Sequence, residues 1–241
     1  MLYKNKSANT RVKLAEPGIM RTMCEMLPVK QAMIALLLCF SCVQAGAQFT
    51  IDSTMKKRTT DKGPDIGRVI RDFTLINFDG HNVSLHDYKD AKGFIVIFTC
   101  NHCPFAKLYT SRFNALNAKY KPLGFPLLAV NPMDSVLYAS EEFAEIRKKA
   151  MDEKFNFPYL QDRSQSVAKQ FNANHTPQAY VLEKSKGGWV VKYCGAIDDN
   201  GGHPEKANPF IANAVDELLQ HKVVSKPRTE SIGCKIMYRR R

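Results

Sequence analysis

Five apolar residues in succession, Phe94-Ile95-Val96-Ile97-Phe98, run into Thr99 and then Cys100-Asn101-His102-Cys103. That junction constrains the chain more than any other stretch. The run is short, β-branched and aromatic, so it predicts a strand buried on both faces. Downstream, Phe105, Leu108, Tyr109, Phe113, Leu116 and Tyr120 recur at helical spacing. Two cysteines separated by two residues therefore fall where a buried strand gives way to a helix. Pro104 suits the first helical turn, whose amides have no internal partner. Those free amides and the helix dipole favour a thiolate, expected at Cys100, and the thiolate is the reactive form. Wound into one turn, the two sulfurs lie within disulfide reach, and the pair can cycle between dithiol and disulfide with little backbone movement. Zinc is the rival use of this spacing. It normally takes a second ligand pair, whereas Cys194 and Cys234 are isolated.

The 241-residue chain carries seven cysteines and a formal net charge of +12. Much of that charge is at the ends. Lys4, Lys6, Arg11, Lys13, Arg21 and Lys30 precede an apolar segment, Ala32 to Phe40, which is followed by Ala45-Gly46-Ala47. A basic region, a short apolar core and a small-residue cleavage pattern predict a secretory signal over 1–47. The apolar segment is too short to span a bilayer comfortably. The basic region is long for such a signal, so Met20, Met23 and Met26 are alternative starts. Cys42 as a lipid anchor is disfavoured by the preceding Cys39-Phe40-Ser41. Removal of the signal leaves Cys100, Cys103, Cys194 and Cys234. The expected location is the bacterial periplasm or cell envelope, where disulfides persist. No basic helix interleaved with aromatics appears, which argues against nucleic acid, and the charge supports at most peripheral membrane association.

A polar leader is expected over 48–65, one α/β domain over 66–222, and a basic tail over 223–241 that ends in Tyr238-Arg239-Arg240-Arg241. Phe73 to Phe78 reads as a strand, Asp79-Gly80 as a hairpin turn, and Asn82 to Leu85 as its return. Phe125 to Val130 is a second buried strand. Ser140 is expected to cap a helix through Lys149, with Phe143 and Ile146 inward and Glu141, Glu142 and Glu145 outward. Ser164 to Phe171 reads as a short helix. Gln178 to Glu183 and Trp189 to Cys194 flank a Lys186-Gly187-Gly188 turn, and Asn208-Pro209 opens a last helix. This order predicts a sandwich with a central mixed β-sheet flanked by helices.

Asp72-Phe73-Thr74-Leu75, Asp79-Gly80, Ser84-Leu85, Cys100-Asn101-His102-Cys103-Pro104 and Thr176-Pro177 before Ala179-Tyr180-Val181-Leu182 together resemble the thioredoxin superfamily. The likeness is to its exported redoxin branch, with the TlpA and ResA-like proteins, and it shades into the AhpC/TSA peroxiredoxins. It implies a thioredoxin-like fold and a thiol–disulfide oxidoreductase; the expected helix start makes Cys100 the attacking sulfur, with Cys103 resolving. It also implies a cis Thr176-Pro177 bond beside the cysteines, with both residues offering a substrate-binding edge. The peroxiredoxin pattern P-x-x-x-T-x-x-C is not met. Gly93 and Ile97 stand at the Pro and Thr positions before Cys100, and Val96 and Cys100 before Cys103. A dedicated thiol peroxidase is therefore the lesser alternative.

His102, directly before Cys103, is expected to tune the thiolate of Cys100. Related oxidants carry a His at this place, whereas TlpA and ResA-like proteins are reducing, so the direction of electron flow stays open. His175 supports a second alternative, a Sco-like copper protein with Cys100, Cys103 and His175 as ligands, since two sulfurs and an imidazole suit Cu(I). Against it, Sco-like motifs place three residues between the cysteines and lack a proline at the position of Pro177. No cofactor is expected. The expected partners are protein or small-molecule disulfides and dithiols and an upstream thiol–disulfide donor. Asp134 is a candidate polar group near the site, and Asp198-Asp199-Asn200 a surface turn. Cys194 and Cys234 are each open to three roles: buried thiol, structural disulfide or second relay.

Overall fold

The computed structural model describes residues 66–239; the signal and the leader expected from the sequence lie outside them. In chain order the elements are strands β1 (Val69–Ile70), β2 (Thr74–Asn77), β3 (Asn82–Ser84) and β4 (Gly93–Phe98), helices α1 (Pro104–Lys107) and α2 (Thr110–Tyr120), and strand β5 (Leu127–Asn131). Helix α3 (Phe143–Asp152), β6 (Tyr159–Gln161), α4 (Ser166–Phe171), β7 (His175–Thr176), β8 (Gln178–Ser185), β9 (Gly188–Gly195), α5 (Phe210–Leu219) and β10 (Cys234–Lys235) follow. Eight strands form one mixed sheet in the order β1-β9-β8-β4-β5-β6-β2-β3. β4 pairs parallel with β5 and antiparallel with β8, and β5 pairs parallel with β6.

Every residue of β4 is buried, as a strand covered on both faces requires. Phe94, Val96 and Phe98 join the core on one side of the sheet with Phe171 of α4. Ile95 and Ile97 join the core on the other side with Phe113 of α2, Ile146 of α3 and Val215 of α5. The period-two alternation of a strand thus feeds two cores at once. Each fully buried apolar side chain of this size contributes about 1.5–3 kcal/mol. The strand starts at Gly93, where a Cβ would come 2.1 Å from the Leu182 carbonyl oxygen and 2.2 Å from the Phe125 ring. A side chain does not fit where β4, β8 and Phe125 converge.

Two expected helices differ in detail. The helix after the cysteines is broken at Leu108-Tyr109, so α1 is a single turn set by Pro104 at its first position. Phe105 and Leu108 are consequently exposed rather than inward. Nor does Ser140 cap α3. A separate 3₁₀ turn spans Ala139–Glu141, and Glu142 is the N-cap residue. This offset turns Glu141 into the protein interior, fully buried, while Glu142 and Glu145 face outward as expected.

The basic tail is packed against the domain. β10 pairs antiparallel with β7, matching Cys234 to Thr176 and Lys235 to His175. Beyond it, Ile236 N–H donates to Asn174 O at 2.9 Å. Tyr238 Oη donates to Ala173 O at 2.6 Å, and Arg239 forms an ion pair with Asp134. The tail is a strap across the end of the sheet where β4 stops.

Candidate active site

β4 ends at Phe98, and the chain bends through Cys100-Asn101-His102 to Cys103, the N-cap residue of α1. Because Pro104 occupies the first helical position, the helix start falls at Cys103, three residues later than the expected site at Cys100. The Thr176-Pro177 bond is cis, and Thr176 meets both sulfurs. Cys100 Sγ lies 3.2 Å from Thr176 Oγ1, and Cys103 Sγ donates to Thr176 O at 3.0 Å. Cys100, Cys103 and Thr176 are all shielded from solvent. All four described cysteines are free thiols.

The two sulfurs differ in charge preference. The hydrogen bond with Cys100 pulls the Cys103 pKa from 9.0 down to about 4, against the effect of burial. The Cys234 thiol and the amides of Ala106 and Cys234 assist. The Thr176 carbonyl, which accepts from Cys103 Sγ, favours the protonated form instead. Cys100 moves the other way through its hydrogen bond with Cys103 and through burial, and the Glu141 carboxylate adds repulsion. The two thiols titrate as a coupled pair that shares one proton, with the negative charge favoured on Cys103. Titrating the ultraviolet thiolate absorbance of the reduced protein should show one thiolate forming near about 4. A first thiolate appearing only near 9.0, the ordinary value, would contradict this arrangement.

Glu141 organises the bend that carries the motif. Its Oε1 accepts from Asn101 N–H at 3.0 Å and from His102 N–H at 2.8 Å, and it lies 2.6 Å from His102 Nδ1. Its Oε2 accepts from Asn131 Nδ2 at 2.6 Å. Tyr159 Oη donates to Asn101 Oδ1 at 2.9 Å and accepts from Asn131 Nδ2 at 3.0 Å. The His102 ring stacks on Tyr138 with centroids 4.1 Å apart. His102 is thus tied to Glu141 and Tyr138, and a ring nitrogen of it lies within 4.8 Å of Cys100 Sγ.

Other expected residues are placed differently. The one metal-capable group among the described residues is Cys100, His102 and Glu141, so His175 does not join the cysteines as the copper alternative requires. The carboxylate of this group is already engaged by both backbone and side-chain donors. Asp134 pairs with Arg239. Asp198 is buried rather than a surface acid, accepting from Arg112 at 2.5 Å and Tyr109 Oη at 3.1 Å. Cys194 is a buried thiol, 3.7 Å from the Gln178 amide, and burial raises its pKa. Beside the motif a cavity of about 410 Å³ is lined by Phe105, Leu108, Pro177, Asp198, Lys226 and Ile232. Its apolar wall is the exposed face left by the break between α1 and α2.

Residues 66–193 match the AhpC/TSA family. Among solved structures, a hypothetical protein, SMc02350, from Sinorhizobium meliloti is 29% identical with a TM-score of 0.67, covering 73% of this chain and 95% of that one. An uncharacterized conserved protein from Geobacillus kaustophilus is 32% identical with a TM-score of 0.66, covering 73% and 94%. The thioredoxin domain of a thiol-disulfide oxidoreductase from Bacteroides vulgatus is 21% identical with a TM-score of 0.43, covering 53% and 86%. No curated protein matches the chain.

Proposed function

Because the chain belongs to the AhpC/TSA family of redoxins in the thioredoxin superfamily, and is thus a thiol-based oxidoreductase, we propose that its specific reaction is thiol–disulfide exchange. The observation that carries this is Thr176, beside the cis proline, in contact with both sulfurs of the Cys-x-x-Cys pair. The Cys103 thiolate attacks one sulfur of a substrate disulfide, and the first substrate thiolate leaves. Cys100 gives up its proton and attacks Cys103 Sγ, releasing the second thiolate and closing the Cys100–Cys103 disulfide. Two electrons pass from the pair to the substrate, and the direction reverses when the partner is a dithiol. Thr176 and Pro177 form the substrate-binding edge, and the apolar cavity beside them suits an aliphatic or aromatic neighbour of the substrate cystine. Glu141 and His102 hold the motif bend.

The test is a rate comparison. Reduced protein should be oxidised by a disulfide-bonded peptide at least an order of magnitude faster than by hydrogen peroxide at equal concentration. Faster oxidation by peroxide, through a sulfenic acid, would make the protein a peroxidase instead.

We further place the protein in the bacterial envelope, on the signal-like segment 1–47. The native N-terminus should then be Gln48. Retention of residues 1–47, or a lipid on Cys42, contradicts a soluble envelope location.

A further inference from the structure

The strap crosses the site at one residue in particular. In the β10–β7 pairing Cys234 stands opposite Thr176, the residue whose backbone oxygen meets Cys103 Sγ at 3.0 Å. The approach is close. A Cβ on the preceding residue, Gly233, would come 2.3 Å from the Thr176 carbonyl oxygen and 3.1 Å from Pro177 N. Only glycine lets the strand lie this near the cis-proline edge, which delivers the next residue to the sulfurs. Cys234 packs against the core cluster that contains Cys100 and Cys103, and its thiol and amide both favour negative charge on Cys103. The strap is held on either side of this point by Thr229, whose N–H donates to Cys194 O at 3.2 Å, and by Ile236.

From this geometry we propose that Cys234 is a third redox thiol, which resolves mixed disulfides on Cys103 in parallel with Cys100. The proposal rests on the exchange reading above. Once Cys103 Sγ carries a substrate sulfur, Cys234 loses its proton to solvent and attacks Cys103 Sγ. The Cys103–substrate bond breaks, the substrate leaves as a thiolate and takes up a proton, and a Cys103–Cys234 disulfide forms. Cys103 and Cys234 are oxidised by two electrons and the substrate disulfide is reduced to two thiols, so the co-reactant is the substrate itself. Burial holds the Cys234 pKa up at about 11, and the negative Cys103 sulfur makes a further contribution. That contribution vanishes when Cys103 becomes covalently engaged, so Cys234 becomes a better nucleophile when it is needed. The product disulfide pins the strap over Thr176 and Pro177, closing the docking edge until a dithiol reopens it.

Oxidised glutathione serves as the probe disulfide, with the full chain and its Cys100→Ser and Cys100→Ser/Cys234→Ser variants. In the Cys100→Ser variant no glutathionyl adduct should persist, and non-reducing peptide mass spectrometry should show Cys103 joined to Cys234. The double variant should retain a glutathionyl adduct on Cys103. A persistent adduct in the Cys100→Ser variant, with Cys234 still open to alkylation, overturns the third-thiol proposal but leaves exchange intact. If the wild-type chain forms neither adduct nor disulfide with glutathione, the exchange reading fails, and the proposal with it.

Discussion

Replacing Cys103 by Ser is expected to abolish disulfide exchange, lowering the rate of reaction with a disulfide substrate by roughly a thousandfold or more. Cys100→Ser is expected to slow turnover but to leave the first step intact. The asymmetry follows from the neighbours of the two sulfurs. Cys103 is the N-cap residue of α1, and the amides of Ala106 and Cys234 favour its thiolate. Cys100 faces the Glu141 carboxylate, which opposes a second negative charge. The sequence alone assigned attack to Cys100, on the expectation that the helix began there. Stopped-flow oxidation of the two single variants decides between them. A Cys103→Ser protein that still reacts and traps substrate on Cys100 would restore the assignment made from sequence.

The second large effect is structural. Glu141→Ala is expected to cost about 3–5 kcal/mol, the scale for removing one member of a buried charged network. The loss strands the amides of Asn101 and His102 and the Asn131 side chain, which converge on the carboxylate, and each unmade buried bond costs about 1–3 kcal/mol. Urea denaturation of the reduced protein measures the loss. Positioning has a second readout: hydrogen bonding to Cys103 and burial hold the Cys100 pKa up and the carboxylate's repulsion adds to them, so its removal should lower that pKa, visible as a second thiolate at lower pH than in the wild type. Glu141→Gln keeps the shape and should recover part of the stability while still lowering the Cys100 pKa. A loss below about 1 kcal/mol in Glu141→Ala would place Glu141 among ordinary polar residues.

Much of this arrangement is visible in the linear chain, for reasons of scale. The run Phe94 to Phe98 is buried on both faces, so nothing competes with its apolar signal. The two-residue spacing of Cys100 and Cys103 is local, and Pro177 interrupts the chain at a fixed place. Helices α2 and α5 carry their apolar faces at the expected period. The unread features are those set by distant partners. Glu141 sits beside Glu142 in a run of acids, and only the 3₁₀ turn ahead of α3 directs it inward. β6 is three residues long and β10 two, too short for any periodicity. The strap's signal was Ile232-Gly233-Cys234 followed by Ile236, an apolar interruption in a basic tail, and its meaning depends on a pairing with β7 some sixty residues away. Phe105 and Leu108 fit a helical face in sequence but lie exposed beside the break at Tyr109, where they line the cavity.

Equilibration in glutathione buffers of graded ratio, followed by alkylation and mass measurement, tests the central claim most directly. Thiol–disulfide exchange predicts a single two-electron transition in which Cys103 and one partner thiol become protected together, with a midpoint that defines the potential. A midpoint near about −270 mV would mark a reductant and one near about −120 mV an oxidant. Cysteines that stay open to alkylation at every ratio, and close only after peroxide is added, would contradict the account.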